Sequence, residues 1–192
     1  MIIIGCSKET PYEIVELPDN LLPLSDGNSW VYTFQRIKLN GILDTLIDTS
    51  QYLVSGKAFG DYFAIEYSTS FQTIATMYYY KNNDVGLWAY NTTSGLEELY
   101  LKYPSDTGDS HSWRGFTVKT ISNDTVLIVD SSTYLCYHYY LSTGDSLANN
   151  TTQHIDYFYA PNIGMIKQIS RTFAHNDILQ GTLQTLFTYN VN

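Results

Sequence analysis

Short runs in which branched and aromatic residues alternate with polar ones fill this chain from residue 29 almost to its end, and Gly, Asn, Asp or Pro breaks each one. Period-two alternation puts the large side chains of a run on one face, the pattern of a strand with one side against a core. Strands are expected at 29–39, 42–53, 62–68, 72–81, 85–90, 96–102, 112–121, 125–129, 133–141, 151–159, 165–173 and 178–189. Glu97 and Glu98 would also suit a single helical turn, but 96–102 reads better as a strand. About a dozen short strands with no helices between them exclude a parallel sheet and imply an all-β, antiparallel fold: a strongly curved sheet, barrel or sandwich.

The turn residues mark the hairpins. Asn40-Gly41 predicts a two-residue type I′ turn, since both residue types tolerate positive φ. Turns are also expected at Ser55-Gly56-Lys57 with Phe59-Gly60-Asp61, at Asn82-Asn83-Asp84, over 91–95, at Ser122-Asn123-Asp124, across the polar loop 142–150, over 160–164 and at His175-Asn176-Asp177. The first strand is announced by Pro23-Leu24-Ser25-Asp26-Gly27-Asn28-Ser29-Trp30, which makes Trp30 the expected first core anchor. A broken echo returns at Pro104-Ser105-Asp106-Thr107-Gly108-Asp109-Ser110-His111-Ser112-Trp113. Residues 21–192 read as one β domain with an internal duplication, 23–103 and 104–192, of about six strands each.

Composition agrees with this class and narrows the partners. Eighteen tyrosines within an aromatic content of 15% favour a pleated surface, and a chain of 192 residues can bury about 70% of its unfolded surface in a single core. Ten basic against nineteen acidic residues give a net charge of -9, which repels phosphate backbones and excludes nucleic acid as the expected partner. Two cysteines can make neither a disulfide framework nor a four-ligand zinc site; Cys136, inside an aromatic strand, is expected to be a buried inert thiol.

The chain starts Met1-Ile2-Ile3-Ile4-Gly5-Cys6-Ser7-Lys8-Glu9. Ile3, Ile4, Gly5 and Cys6 resemble the end of a bacterial lipoprotein signal, the lipobox, although the basic leader is missing and the apolar run is short. The resemblance implies cleavage before Cys6 and lipid on its sulfur, with residues 1–5 a signal-peptide remnant. Residues 6–20, polar and interrupted by Pro11 and Pro18, would then be a tether, and several acyl chains would make the anchor permanent. Ser7-Lys8-Glu9 partly resembles the export tag of surface-displayed lipoproteins.

Four further pieces carry a wider resemblance: 23–32, Leu101-Lys102-Tyr103-Pro104 with Gly108-Asp109-Ser110, Asn123-Asp124-Thr125-Val126 leading to Tyr134-Leu135-Cys136-Tyr137, and 157–167. In this order they resemble the uncharacterised secreted lipoproteins of Bacteroidetes-type bacteria, with their PLxxGNxWxY motif and late YYAPGVGLVK-like hairpin. Asn162 stands where the late motif has its first Gly, as a left-handed position would allow, and Asp130-Ser131-Ser132 replaces a Pro-Ala-Gly turn. The resemblance implies a curved antiparallel β fold in the cell envelope, anchored in the outer membrane and either periplasmic or surface-exposed. It implies no activity.

Chemistry is sparse. His138 and His154 lie on strands joined by the 142–150 loop; a register summing to about 292 would set them side by side with Asp156 near, the one constellation suggestive of a metal or acid–base site. Asp106, Asp109 and His111 crowd one loop without the spacing of a calcium site. No nucleophile elbow, zinc-protease helix or phosphate-cradling loop occurs, so no catalytic residue and no cofactor are assigned. The tyrosines are the remaining lead: Tyr78, Tyr80, Trp88, Trp113, Tyr137 and Tyr139 would stack on a sugar or grip an acyl chain if they line a concavity. The expected function is that of an envelope lipoprotein acting as a binding or structural module, touching the membrane through its lipid only, with a sugar, lipid or protein as ligand. The alternatives are a lipocalin-like carrier, which requires a deep apolar cavity of several hundred cubic ångströms, and a glycan- or peptide-acting hydrolase, which requires converging acids in a cleft.

Overall fold

The computed structural model describes residues 20–71, 74–144, 151–174 and 177–192. Cys6, the tether through residue 19, and the expected turn residues His175 and Asn176 lie outside the described residues. The described chain forms twelve strands: β1 (Ser29–Ile37), β2 (Leu43–Phe59), β3 (Tyr62–Thr69), β4 (Thr76–Asn83), β5 (Gly86–Asn91), β6 (Leu96–Lys102), β7 (Ser110–Trp113), β8 (Phe116–Val129), β9 (Ser132–Thr143), β10 (Thr151–Ala160), β11 (Gly164–Ala174) and β12 (Asp177–Asn190). All belong to one antiparallel sheet in the order β6-β5-β4-β3-β2-β1-β12-β11-β10-β9-β8-β7. Within β1–β6 and within β7–β12 each strand pairs with its neighbours in sequence, and one long-range ladder, Ser29↔Asn190 through Ile37↔Gly181, joins these two meanders.

The two edges of this sheet, β6 and β7, are consecutive in the chain and face each other. Side chains rather than a backbone ladder bridge them. Lys102 Nζ meets Asp109 Oδ2 at 2.7 Å and Arg114 Nε meets Glu98 Oε2 at 2.7 Å, while His111 Nε2 lies 3.2 Å from the Tyr100 carbonyl oxygen. The rings of Tyr100 and Trp113 stand 4.6 Å apart between them. The sheet is therefore a nearly closed barrel, and its exposed edges are covered by each other.

Several expected turns differ in kind. The β1–β2 hairpin closes through a three-residue 3-10 turn, Leu39–Gly41, with Lys38 N donating to Ile42 O and Gly41 at φ 77. It is a type I turn ending in a left-handed residue rather than the two-residue type I′ turn. The break expected at Ser55-Gly56-Lys57 is an irregularity inside β2, where the register with β3 shifts between Val54 and Phe59, and only Gly60-Asp61 turns the chain. Ser122-Asn123-Asp124 is likewise a bulge within β8 rather than a turn. The turn before it is Arg114-Gly115, with Arg114 at φ 47 and Trp113 paired to Phe116. Asp130 and Ser131, at φ 47 and 69 between paired Val129 and Ser132, make the type I′ turn of the β8–β9 hairpin.

The leading segment and its echo adopt the same turn. Gly27 N donates to Val54 O, Asn28 N to Ser25 O, and Val54 N to Asn28 O; in the second meander Gly108 N donates to Thr120 O, Asp109 N to Asp106 O, and Thr120 N to Asp109 O. All six bonds are 2.8–3.0 Å. Each turn sits at the barrel end that also carries the hairpins at 60–61, 84–85, 130–131 and 161–163.

Candidate functional site

Successive inward-facing residues decide what fills the barrel. At the end where the chain enters, Leu21 and Trp30 are fully buried and Leu22 nearly so. The Trp30 indole N–H donates to Ile163 O, Tyr32 Oη to Met165 O at 3.0 Å, and Asn82 Nδ2 to Leu22 O at 2.6 Å. Asn28, wholly buried, donates from Nδ2 to Pro23 O at 2.9 Å and accepts Asn192 N at 3.0 Å, so one side chain pins the start of the domain and its end. Gly164, at φ 104, passes so close to this plug that a Cβ there would lie 2.9 Å from Leu22 Cδ1 and 3.2 Å from Trp30 Nε1. Only glycine meets both demands.

Above the plug the barrel is hollow. A cavity of about 470 Å³ is bounded by Leu22, Trp30, Phe34, Ile65, Trp113, Phe116, Ile155 and Met165, and by Tyr32, Tyr52, Tyr67, Tyr78, Tyr80, Tyr100, Tyr157 and Tyr159. The rings run edge to edge around it. Centroid distances are 5.4 Å for Tyr32–Tyr52, 4.7 Å for Tyr52–Tyr67, 6.2 Å for Tyr67–Tyr78, 6.3 Å for Tyr78–Tyr80, 5.6 Å for Tyr80–Tyr100, 5.9 Å for Tyr100–Tyr157 and 6.0 Å for Tyr157–Tyr159. Neighbouring rings at these separations contribute about 0.5–1.5 kcal/mol per pair beyond their burial, so the wall is stiff without any contents. Burial pushes the Tyr32, Tyr80, Tyr100 and Tyr159 hydroxyls well above the usual phenol range, and Tyr157 up to about 12. Among the described residues no Asp, Glu, Lys, Arg or His lines the cavity, so the wall they form carries no charge at neutral pH.

Toward the opposite end the lining turns polar, with Gln168, Thr182 and Gln184. A second hollow, of about 800 Å³, shares Thr182 with the first and continues the inner face past Ser170, Gln153, Thr172 and Gln180 to Arg36, Lys38 and Asp44. Lys38 Nζ is 3.0 Å from Asp44 Oδ1.

The proposed aromatic residues fall into two groups. Tyr78, Tyr80 and Trp113 line the cavity. Tyr137 and Tyr139 also point inward but pack into the solid end, where Tyr139 Oη donates to Lys102 O at 2.7 Å and Tyr103 meets Tyr137 at 5.1 Å. Trp88 alternates with buried Leu87 and Ala89, so it faces outward, its N–H donating to Asn83 Oδ1 at 3.0 Å. Tyr32, Tyr52, Tyr67, Tyr100, Tyr157 and Tyr159, the greater part of the wall, were not singled out by sequence. Parity with Trp30 along β1 was the signal that would have found Tyr32, and the Tyr157–Tyr159 alternation the next two.

His138, His154 and Asp156 share the outer face. The β9–β10 register sums to 296 instead of 292, so His138 faces Phe158 and His154 faces Ser142. His138 Nε2 is 2.9 Å from Asp156 Oδ1, whose other oxygen accepts Arg171 Nη1 at 3.2 Å, and the His138 ring stacks on Phe158 at 4.3 Å. His154 instead contacts the rings of Tyr140 and Phe173, at 5.4 and 4.7 Å. Ser122, opposite His138 in the ladder, donates its hydroxyl to Asp124 at 2.6 Å. Among the described residues no group of three or more His, Cys, Asp or Glu side chains is placed to hold a metal ion. Asp109 accepts Lys102 and the Asp106 amide, which hold its carboxyl below the usual range. Burial lowers the pKa of His111 despite its contact with the Tyr100 carbonyl. Cys136 is fully buried, and burial pushes its thiol up to about 12.

No protein-family model matches the chain, and no curated protein matches it. Two solved structures share its fold. One is a protein of Bacteroides fragilis thought to be exported and described as having a YmcC-like fold: 10% identity, TM-score 0.50, covering 91% of this chain and 99% of that one. The other is a protein of Parabacteroides distasonis thought to be a lipoprotein: 12% identity, TM-score 0.50, covering 91% of this chain and 100% of that one.

Proposed function

We propose that the protein is a cell-envelope lipoprotein, held in the outer membrane through Cys6, whose barrel takes up an apolar ligand in the manner of a lipocalin-like carrier. The observation behind this is the cavity of about 470 Å³ above the Leu22–Trp30 plug. Ligand pockets run from about 300 to 1,000 Å³ and are mostly apolar with a few polar groups, which matches this lining. A purely structural barrel would gain by filling that space, since voids forfeit packing energy. The envelope part of the reading draws on the lipobox-like residues 3–6 and on two fold relatives described as exported or as a lipoprotein. A hydrolase draws no support: the His138–Asp156 pair lies on the convex face, outside the cavities.

Uptake of the uncharged fluorophore N-phenyl-1-naphthylamine tests the carrier. The wild-type protein is expected to brighten it saturably, and Ile65→Trp, which projects a larger side chain into the cavity, to abolish the signal with the circular dichroism of the barrel intact. No brightening by the wild type overturns the carrier. Radiolabelled palmitate incorporation compared with Cys6→Ala tests the anchor, and equal labelling rejects it.

A further inference from the structure

The barrel interior is graded along its axis, from an uncharged aromatic chamber to a belt of amide and hydroxyl side chains, and the join between the two contains an unanswered hydrogen-bond acceptor. Gln184, which lines the cavity, is 4% exposed; its Nε2 donates to Ser50 Oγ at 3.2 Å and its side chain also lies within reach of the Tyr67 hydroxyl, while Oε1 has no hydrogen-bond partner among the described residues. A buried amide oxygen left without a donor costs about 1–3 kcal/mol, enough that such groups are normally answered by a protein donor, an ordered water or a ligand. Beyond it the inner face offers Thr182, Ser170 and Gln153, where Gln153 Nε2 donates to Ser170 Oγ at 3.4 Å. Every one of these groups is neutral and both gives and accepts hydrogen bonds.

Resting on the carrier reading, we infer that the ligand is an uncharged amphiphile: an apolar chain or ring system in the tyrosine chamber joined to a hydroxyl-bearing, sugar-like head that donates to Gln184 Oε1 and reaches the Thr182–Ser170 belt. A charged head would have to leave water to sit beside neutral amides without a buried counter-ion, which is unfavourable. Arg36 borders the belt, directly opposite Thr182 in the ladder, but it shares a hollow with Asp44 and Asp48, and Lys38 is paired with Asp44, so the cations at this end already have acidic neighbours.

Displacement of N-phenyl-1-naphthylamine by amphiphiles of one chain length, each kept below its micelle concentration, separates the possibilities: an alkyl maltoside, an alkyl sulfate, an alkyl trimethylammonium, the plain alkanol, and maltose alone. The maltoside is expected to displace the probe at the lowest concentration, and Gln184→Leu to weaken it about three- to tenfold toward the alkanol, whose own binding is unchanged. If Gln184→Leu does not fold, Thr182→Val reads the same belt, and the head-group ranking on the wild type needs no variant at all. Equal displacement by every head group overturns the inference and leaves the carrier standing. Tightest binding by the sulfate overturns it in favour of an anionic ligand at Arg36. Failure of all amphiphiles, the alkanol and the probe included, overturns the carrier reading itself.

Discussion

The buried tyrosines of the barrel also set an alkaline limit on the fold. Tyr32, Tyr100, Tyr139 and Tyr159 are 2, 4, 0 and 6% exposed, and burial raises the pKa of each well above the ordinary 10.0. Tyr32 and Tyr139 also donate their phenolic protons to the carbonyls of Met165 and Lys102, bonds that ionisation would destroy. In the unfolded chain these groups release their protons near pH 10, while in the folded barrel they keep them. The stability they contribute is whole below pH 10 and is lost as pH rises from there toward their folded values. Each such group withdraws on the order of 1 kcal/mol for every pH unit above 10, so the four together approach the whole stability of a domain between pH 11 and 12. A domain holds about 5–15 kcal/mol in all. Cooperative unfolding is therefore expected between pH 11 and 12, with far-ultraviolet circular dichroism and tyrosinate absorbance changing together for the buried set. Tyr159→Phe removes one of the four and should flatten the fall by about a quarter. A smooth titration of all eighteen tyrosines near pH 10 with the sheet intact would refute the reasoning.

Three further outcomes follow from single positions. Gly86→Ala places a Cβ 2.2 Å from Leu101 O and 2.7 Å from Tyr103 N, both backbone atoms, at φ 147; it is expected to cost at least about 3 kcal/mol, read as a drop of roughly 6–12 °C in melting temperature. Asn162, at φ 60, is expected to accept glycine with little change, whereas Asn162→Ala costs about 1–2 kcal/mol in a denaturant titration; equal stability of the two variants would contradict the left-handed requirement. In a Cys6→Ala background the remaining thiol, Cys136, should resist a disulfide-exchange reagent at pH 8 until the protein unfolds, because it is buried and its thiol is pushed up to about 12.

Local pattern made most of the strands legible. The 96–102 run became β6 with those bounds, and 151–159, 165–173 and 178–189 each lie within a strand one or two residues longer. What local pattern does not separate is a turn from a bulge. Gly56 at φ 101 and the Ser122–Asp124 stretch carry the same breaker residues as a hairpin, yet β3 and β9 continue alongside them and absorb the extra residues. The reverse failure is Arg114, whose φ of 47 no residue preference announces; its turn is imposed by the pairing of Trp113 with Phe116 on either side. In both cases the partner strand decides. The register expected at His138 and His154 is off by four residues, His138 facing Phe158 instead of His154, because alternation within each strand does not fix how the two strands are aligned.

The cavity was less legible because alternation gives a parity and not a depth. Tyr78 and Tyr80 share their inward parity with Tyr137 and Tyr139, but the first pair borders empty space and the second is packed solid. What separates them is how the same turn is used at its two occurrences. Before Gly27 no strand of the sheet leads in among the described residues, and Leu21 and Leu22 cross the barrel end as a plug held by Asn28 and Asn82, with open space left above. Before Gly108 the chain arrives from β6, and Tyr103 and Ser105 fill the same end against Tyr137, Tyr139 and Thr120. Cutting the plug contact is therefore the change that should deepen the hollow at its closed end: Leu22→Ala opens its floor, costs about 2–5 kcal/mol of stability, and should admit a longer-chain probe than the wild type accepts.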